Sequence, residues 1–138
     1  MVTNYQRGRK TEWDARDELT AAGFYVVRAA ASKTCVDLVA IGRGIVILVQ
    51  LKRSKRDIKS LRSICKAFGD DLKRLDGIPT VKNVYKELWL WVDQKGWRKI
   101  FLDADGFAFE PAAENGEAVN INGFVIVTAP SKEVPSLS

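Results

Sequence analysis

The segment Gly44–Lys55, GIVILVQLKRSK, constrains the fold more than any other part of the chain. The apolar residues Ile45 to Val49 follow one another without a polar break. A strand with one face in water alternates apolar and polar residues, so an unbroken, β-branched run marks a strand covered on both faces. This run ends in Gln50-Leu51-Lys52. Side chains two apart on a strand share a face, so Gln50 and Lys52 point to one side and Leu51 to the other.

The neighbouring segments supply the cover. Ala15, Leu19 and Ala22 form a modest apolar stripe in a helix expected over Arg7–Ala22, with Gly23 as its stop. Phe24–Arg28 and Val36–Ile41 read as strands. A turn at Gly42-Arg43-Gly44 joins the second of these to Ile45–Lys52 as a hairpin. From Asp57 to Leu75 the apolar residues Ile58, Leu61, Ile64, Cys65, Phe68, Leu72 and Leu75 recur at helical spacing between basic residues. That pattern predicts one basic amphipathic helix, ended by Asp76-Gly77-Ile78-Pro79. Glu87–Val92 and Trp97–Leu102 read as a second hairpin, and Gly123–Thr128 as a short strand. The order predicts a single α/β domain over residues 1–130, a mixed central sheet flanked by helices, with 131–138 as a disordered tail. Trp89, Trp91 and Trp97 are expected in the core or at a dimer interface.

Composition narrows the chemistry. The 138 residues contain no histidine and only Cys35 and Cys65, which argues against a zinc site of the usual kind and against a disulfide framework. Hydrolysis would therefore rely on carboxylates, lysine or an oxygen-bound metal. No apolar run approaches the roughly 20 residues of a membrane helix, and MVTNYQRGRK lacks a signal-peptide core, so the expected location is the cytoplasm and no membrane partner is expected. Charge is unevenly spread. Residues 1–74 carry 16 Lys and Arg against 8 Asp and Glu, whereas the remainder carries 6 against 9. A basic half beside a mildly acidic one suits a surface that meets nucleic acid, although solvated lysine-rich helices give the same count.

The first hairpin gathers the candidate chemistry. Counting out from Arg43, Asp37 falls within one bulge of direct opposition to Gln50. An acid, an amide oxygen and an ammonium then meet at one edge of the sheet, and Glu12 on the first helix can add a second carboxylate. Carboxylate and carbonyl oxygens are the donors Mg²⁺ prefers. A lysine beside such a metal can orient the attacking water and offset charge on a phosphorane. By itself D-x12-Q-x-K is a weak pattern, equally read as a turn-capping Asp37 and a solvated Lys52.

The ordered pieces Arg7-Gly8-Arg9-Lys10, Glu12, Gly23-Phe24, Val26-Val27-Arg28, Ser32, Asp37-Leu38-Val39-Ala40 and Gln50-Leu51-Lys52 are more specific. Over residues 5–52 they resemble the N-terminal half of archaeal-type Holliday junction resolvases of the PD-(D/E)XK nuclease superfamily. The resemblance implies a restriction-endonuclease-like core and a metal-dependent endodeoxyribonuclease that resolves four-way DNA junctions by paired nicking. It implies Glu12 and Asp37 as metal ligands, with Gln50 and the Leu51 backbone carbonyl completing the set, Lys52 as catalytic lysine, and Ser32 at the scissile phosphate or water. Arg7, Arg9, Lys10 and Arg28, together with Lys33, Arg53 and Lys55, would hold DNA backbone. Mg²⁺ would be the cofactor, with Mn²⁺ able to substitute, and a homodimer would match the two-fold symmetry of the junction. An exposed ELWLWV segment would lend that dimer weak support. One position departs from the pattern, because the family carries glutamate where this chain has Gln50. Three readings stay open: a tolerated variant, a deliberate inactivation, or a junction-binding protein without cleavage. A flap- or duplex-cleaving nuclease of the same superfamily is a further alternative.

Overall fold

The computed structural model describes residues 4–29, 34–113 and 116–127. The chain forms α1 (Asn4–Ala21), β1 (Tyr25–Arg28), β2 (Leu38–Gly42), β3 (Ile45–Ser54), α2 (Leu61–Ala67), α3 (Gly69–Asp76), β4 (Val84–Val92), β5 (Gly96–Leu102), β6 (Phe107–Phe109), β7 (Ala118–Asn120) and β8 (Ile126–Val127). Among the described residues, eight strands lie in one sheet in sequence order. Only β3 and β4 run parallel, and every other neighbouring pair is antiparallel. A parallel pair needs a crossover, and α2 with α3 supplies it. The sheet is therefore mixed and flanked by helices, as the sequence predicts. The expected tail at 131–138 lies outside the described residues.

Each face of the sheet has its own core. On one side, Ala15 and Leu19 of α1 pack with Phe24, Leu38, Ala40, Ile47, Val49 and Trp89. On the other, Ile64, Leu72 and Leu75 of α2 and α3 cover Leu88, Leu90, Val92 and Ile100. Ile47 and Val49 are fully buried, which is why the strand carries no polar residue before position 50. The ELWLWV segment is a correction: Glu87 to Leu90 and Val92 are buried, so it offers no exposed apolar face for a dimer. Trp91 and Trp97 meet edge to face at 5.1 Å, and Trp89 and Trp97 at 5.4 Å, inside the protein's own packing.

The expected single helix over Asp57–Leu75 is two helices. Ser60 caps α2, its Oγ accepting from the Ser63 N–H at 3.0 Å, so the helix starts at Leu61. Phe68 leaves helical geometry at φ −113° and ψ 28° and separates the two. The break sets a fresh helix N-terminus at Gly69 and places Asp70 and Asp71 in its first turn, where the helix dipole favours acids.

The first hairpin turns on Arg43 and Gly44, both at positive φ (54° and 80°). Such a two-residue turn matches the natural twist of the strands and fixes the register from Gly42↔Ile45 to Leu38↔Val49. Among the described residues no helix is long and apolar enough to cross a membrane.

Candidate active site

The register ends at Leu38, and the next residue breaks step. Asp37 donates its N–H to the Val49 carbonyl at 2.8 Å, one residue out of the Leu38↔Val49 pairing, which is the offset of a β-bulge. The bulge turns the Asp37 carboxylate back over β3, where Oδ2 accepts from the Leu51 N–H at 2.7 Å. Asp37 is thus bound to the strand that carries Gln50 and Lys52. Burial raises its pKa above the ordinary carboxylate value; the Leu51 hydrogen bond and the Lys52 charge oppose the rise, while Glu12 and Asp71 add to it.

Gln50 and Lys52 lie on the face of β3 that looks toward α3, beside Leu88 and Leu90 of β4. Leu51 pairs with Trp89 and belongs to the opposite core. Gln50 is 5% exposed. Its Nε2 donates to Asp71 Oδ1 at 3.2 Å, and Lys52 Nζ lies 3.2 Å from the same oxygen. Arg74 Nη2 reaches it at 3.1 Å from one turn along α3. The sequence reading missed Asp71. Its only local signal is an acid in the first turn of a helix, and that helix start lies hidden inside a longer periodic pattern.

Glu12 is ion-paired to Arg28 of β1. Since Arg28 pairs with Leu38 in the β1–β2 ladder, this brings Glu12 to the Asp37 end of β2. Ser32 and Lys33 lie outside the described residues. The remaining basic candidates fall into two groups. Arg7, Arg53 and Lys55 line one cleft between α1 and the end of β3, and Lys10 and Arg53 line the adjoining one. Arg53 is fixed there by Asp93 at 2.9 Å and by the Arg7 carbonyl at 3.3 Å. Arg9 stacks over the Trp13 ring at 5.3 Å, and Lys10 pairs with Asp14 at 3.0 Å.

The residues fit a hard divalent cation. Among the described residues no cluster of three or more His, Cys, Asp or Glu forms a metal site, so carboxylates alone do not make one. The fit rests on Gln50: its Oε1 is buried and has no hydrogen-bond partner. A buried amide oxygen is seldom left unpaired, and beside Asp37 it has the chemistry of a Mg²⁺ or Mn²⁺ donor, with waters able to fill the rest of the shell.

Residues 3–63 match the family described as archaeal Holliday junction resolvase (Hjc), and that segment carries α1, the first hairpin and every candidate ligand, but not Asp71 of α3. No curated protein sequence matches the chain. The structure of Hjc from Archaeoglobus fulgidus, a Holliday junction resolvase from an archaeal hyperthermophile, superposes with a TM-score of 0.52 at 21% identity, over 73% of this chain and 75% of that one. The chain is thus similar in sequence to the archaeal Holliday junction resolvase family over residues 3–63, and similar in fold to a solved Hjc structure over most of its length.

Proposed function

We propose that the chain is a structure-selective endodeoxyribonuclease that resolves four-way DNA junctions. The single observation that carries this reading is the bulged hairpin. Within the family-matched segment it binds Asp37 to the strand bearing Lys52 and leaves Gln50 Oε1 buried without a partner. Asp37, Gln50 Oε1 and the Leu51 backbone carbonyl would hold a Mg²⁺ or Mn²⁺ ion, with Glu12 as a further ligand once DNA phosphate competes for Arg28. Such an ion supplies polarisation of the scissile phosphate and a more acidic attacking water.

The chain's own residues do the rest. Lys52 lies two residues beyond Gln50 on the same face, where its ammonium orients the attacking water and offsets the charge that builds on the phosphorane. Asp37, held by the Leu51 N–H, keeps its carboxylate aimed across the hairpin. Arg7, Arg53 and Lys55 track DNA backbone past the end of β3, with Arg9, Lys10 and Arg28 on the approach from α1 and β1. Ser32 and Lys33 join the phosphate-binding set by family resemblance. A C₂ homodimer would present two such sites to the two-fold symmetric junction and permit paired nicks.

The test is nicking of a synthetic four-way junction in Mg²⁺ and in Mn²⁺, against flap and linear duplex controls. Divalent-dependent, junction-preferring cleavage that disappears in Asp37→Asn is the expected outcome. A second reading, a branched-DNA-binding protein without cleavage, draws on the neutral Gln50. Under that reading neither metal elicits cleavage, and Asp37→Asn leaves junction binding and all other behaviour unchanged.

A further inference from the structure

The neutral residue at position 50 has a charged neighbour in space. Asp71 Oδ1 accepts from Gln50 Nε2, while Lys52 and Arg74 hold the same carboxylate from the other sides. An ionised carboxylate only accepts hydrogen bonds, so the amide facing it must present its NH₂ group. The two ends of a glutamine side chain are otherwise interchangeable in shape. Asp71 removes that ambiguity and turns Oε1 the other way, into a buried position where nothing in the protein satisfies it. Leaving such an oxygen unpaired is destabilising, and a hard cation there would satisfy it. Asp71 also places a negative charge within reach of Asp37.

We propose that Asp71 is a positioning residue that locks the Gln50 amide with Oε1 as the cation-facing ligand, so that Asp71 and Gln50 together replace a glutamate at position 50. The oxygen donor comes from one side chain and the negative charge from the other. The inference rests on the nuclease reading above, because it needs a divalent cation at Asp37 and Gln50. It assigns to α3 a role that the family-matched segment, which stops at residue 63, does not contain.

The test is a double-substitution cycle read by Mn²⁺ binding to the whole chain in the absence of DNA, by calorimetry or electron paramagnetic resonance. Asp71→Asn can accept as well as donate, so the amide at 50 is free to flip. Mn²⁺ affinity then falls on the order of 10- to 100-fold, the loss usual for removing an outer partner of a metal ligand. In a Gln50→Glu background both terminal atoms are oxygens and need no orientation. There Asp71→Asn leaves affinity unchanged or raises it by relieving like-charge repulsion. A merely structural Asp71 lowers affinity equally in both backgrounds, and that result overturns the role of Asp71 while leaving the nuclease reading intact. A chain that binds no Mn²⁺ in either background overturns both. The unsubstituted protein offers a second measurement that does not depend on a variant folding. The Gln50 side-chain ¹⁵N–¹H₂ signal is expected to show one proton protected by Asp71 and to shift on titration with Mg²⁺. Equal, rapid exchange of both protons, or no shift at saturation, overturns the proposal.

Discussion

Trp89 Nε1 donates to Glu87 Oε1 at 2.8 Å, two residues along β4 and wholly inside the core beneath α1. The other carboxylate oxygen, Oε2, is buried without a partner. Burial pushes the Glu87 pKa from 4.5 up to about 7, and the Trp89 hydrogen bond and the Lys99 charge only partly counter it. The folded chain therefore binds this proton more tightly than the unfolded chain. Its stabilising effect is fully present below about pH 4.5 and is lost as pH rises toward about 7. At 1.36 kcal/mol per pKa unit the span amounts to about 3 kcal/mol. Glu87→Gln keeps an acceptor for Trp89 and removes the titration. The difference in urea midpoint between variant and parent should accordingly grow from pH 5 to pH 8 in the variant's favour; parallel profiles would show that Glu87 does not titrate in this window.

Lys52 provides the sharpest separation of chemistry from binding. Its ammonium is one-third exposed and pairs with Asp71, so its removal costs little packing. Lys52→Met keeps the aliphatic stem and removes the charge that the proposed mechanism sets at the reacting phosphate. Cleavage of the four-way junction should fall at least about 100-fold, in line with loss of a group that meets charge built up in the transition state. Junction affinity, read by gel shift in Ca²⁺, should change by less than about threefold, since under that mechanism one charge among many proposed phosphate contacts is lost. Equal losses in cleavage and binding would make Lys52 a backbone contact only.

Arg98 and Glu110 form the most enclosed ion pair among the described residues. The guanidinium donates to both carboxylate oxygens, at 2.8 and 2.7 Å, and a further N–H bonds to the Ile58 carbonyl. The pair ties β5 to the segment after β6 and to the entry of α2. Glu110→Ala strands a half-buried guanidinium, and the expected loss is about 2–4 kcal/mol, below the full cost of a deeply buried orphan charge. Replacing both, Arg98→Met with Glu110→Leu, should recover most of it. A double variant no better than Glu110→Ala would mean that the bond to Ile58 matters more than the pair.

The hairpin was legible in the sequence because its signals are local. An unbroken apolar run ending in Gln-x-Lys, a glycine at a positive-φ turn position and an acid six residues before Arg43 fix Asp37, Gln50 and Lys52 together. The split of α2 from α3 was not legible, because both helices bury the same side and the interruption at Phe68 barely disturbs the apolar spacing. Asp71 was lost with it, its importance resting on contacts with Gln50 and Lys52 from a distant strand. The start of β4 was missed for a similar reason. Lys86 sits in a central strand yet is buried, its ammonium bonded to the Asp76 carbonyl at 3.2 Å and to that of Ile78. A lysine that caps a helix end from inside a sheet looks like a loop residue until the helix is in place.

Lys55 and Arg53 line the same cleft but differ in what else they do, so they make different predictions for DNA binding. Lys55 is exposed, whereas Arg53 also holds Asp93 and the Arg7 carbonyl. Each phosphate contact contributes about 0.9 to the slope of log affinity against log salt for duplex DNA. Lys55→Ala should reduce that slope by about one unit and weaken junction and duplex alike, because a backbone contact carries no selectivity of its own. Arg53→Ala should reduce the slope similarly and also lower stability, since it releases Asp93 and the first turns of α1. A variant at either position that keeps the full salt slope would remove this cleft from the DNA path and shift it toward Arg9 and Arg28.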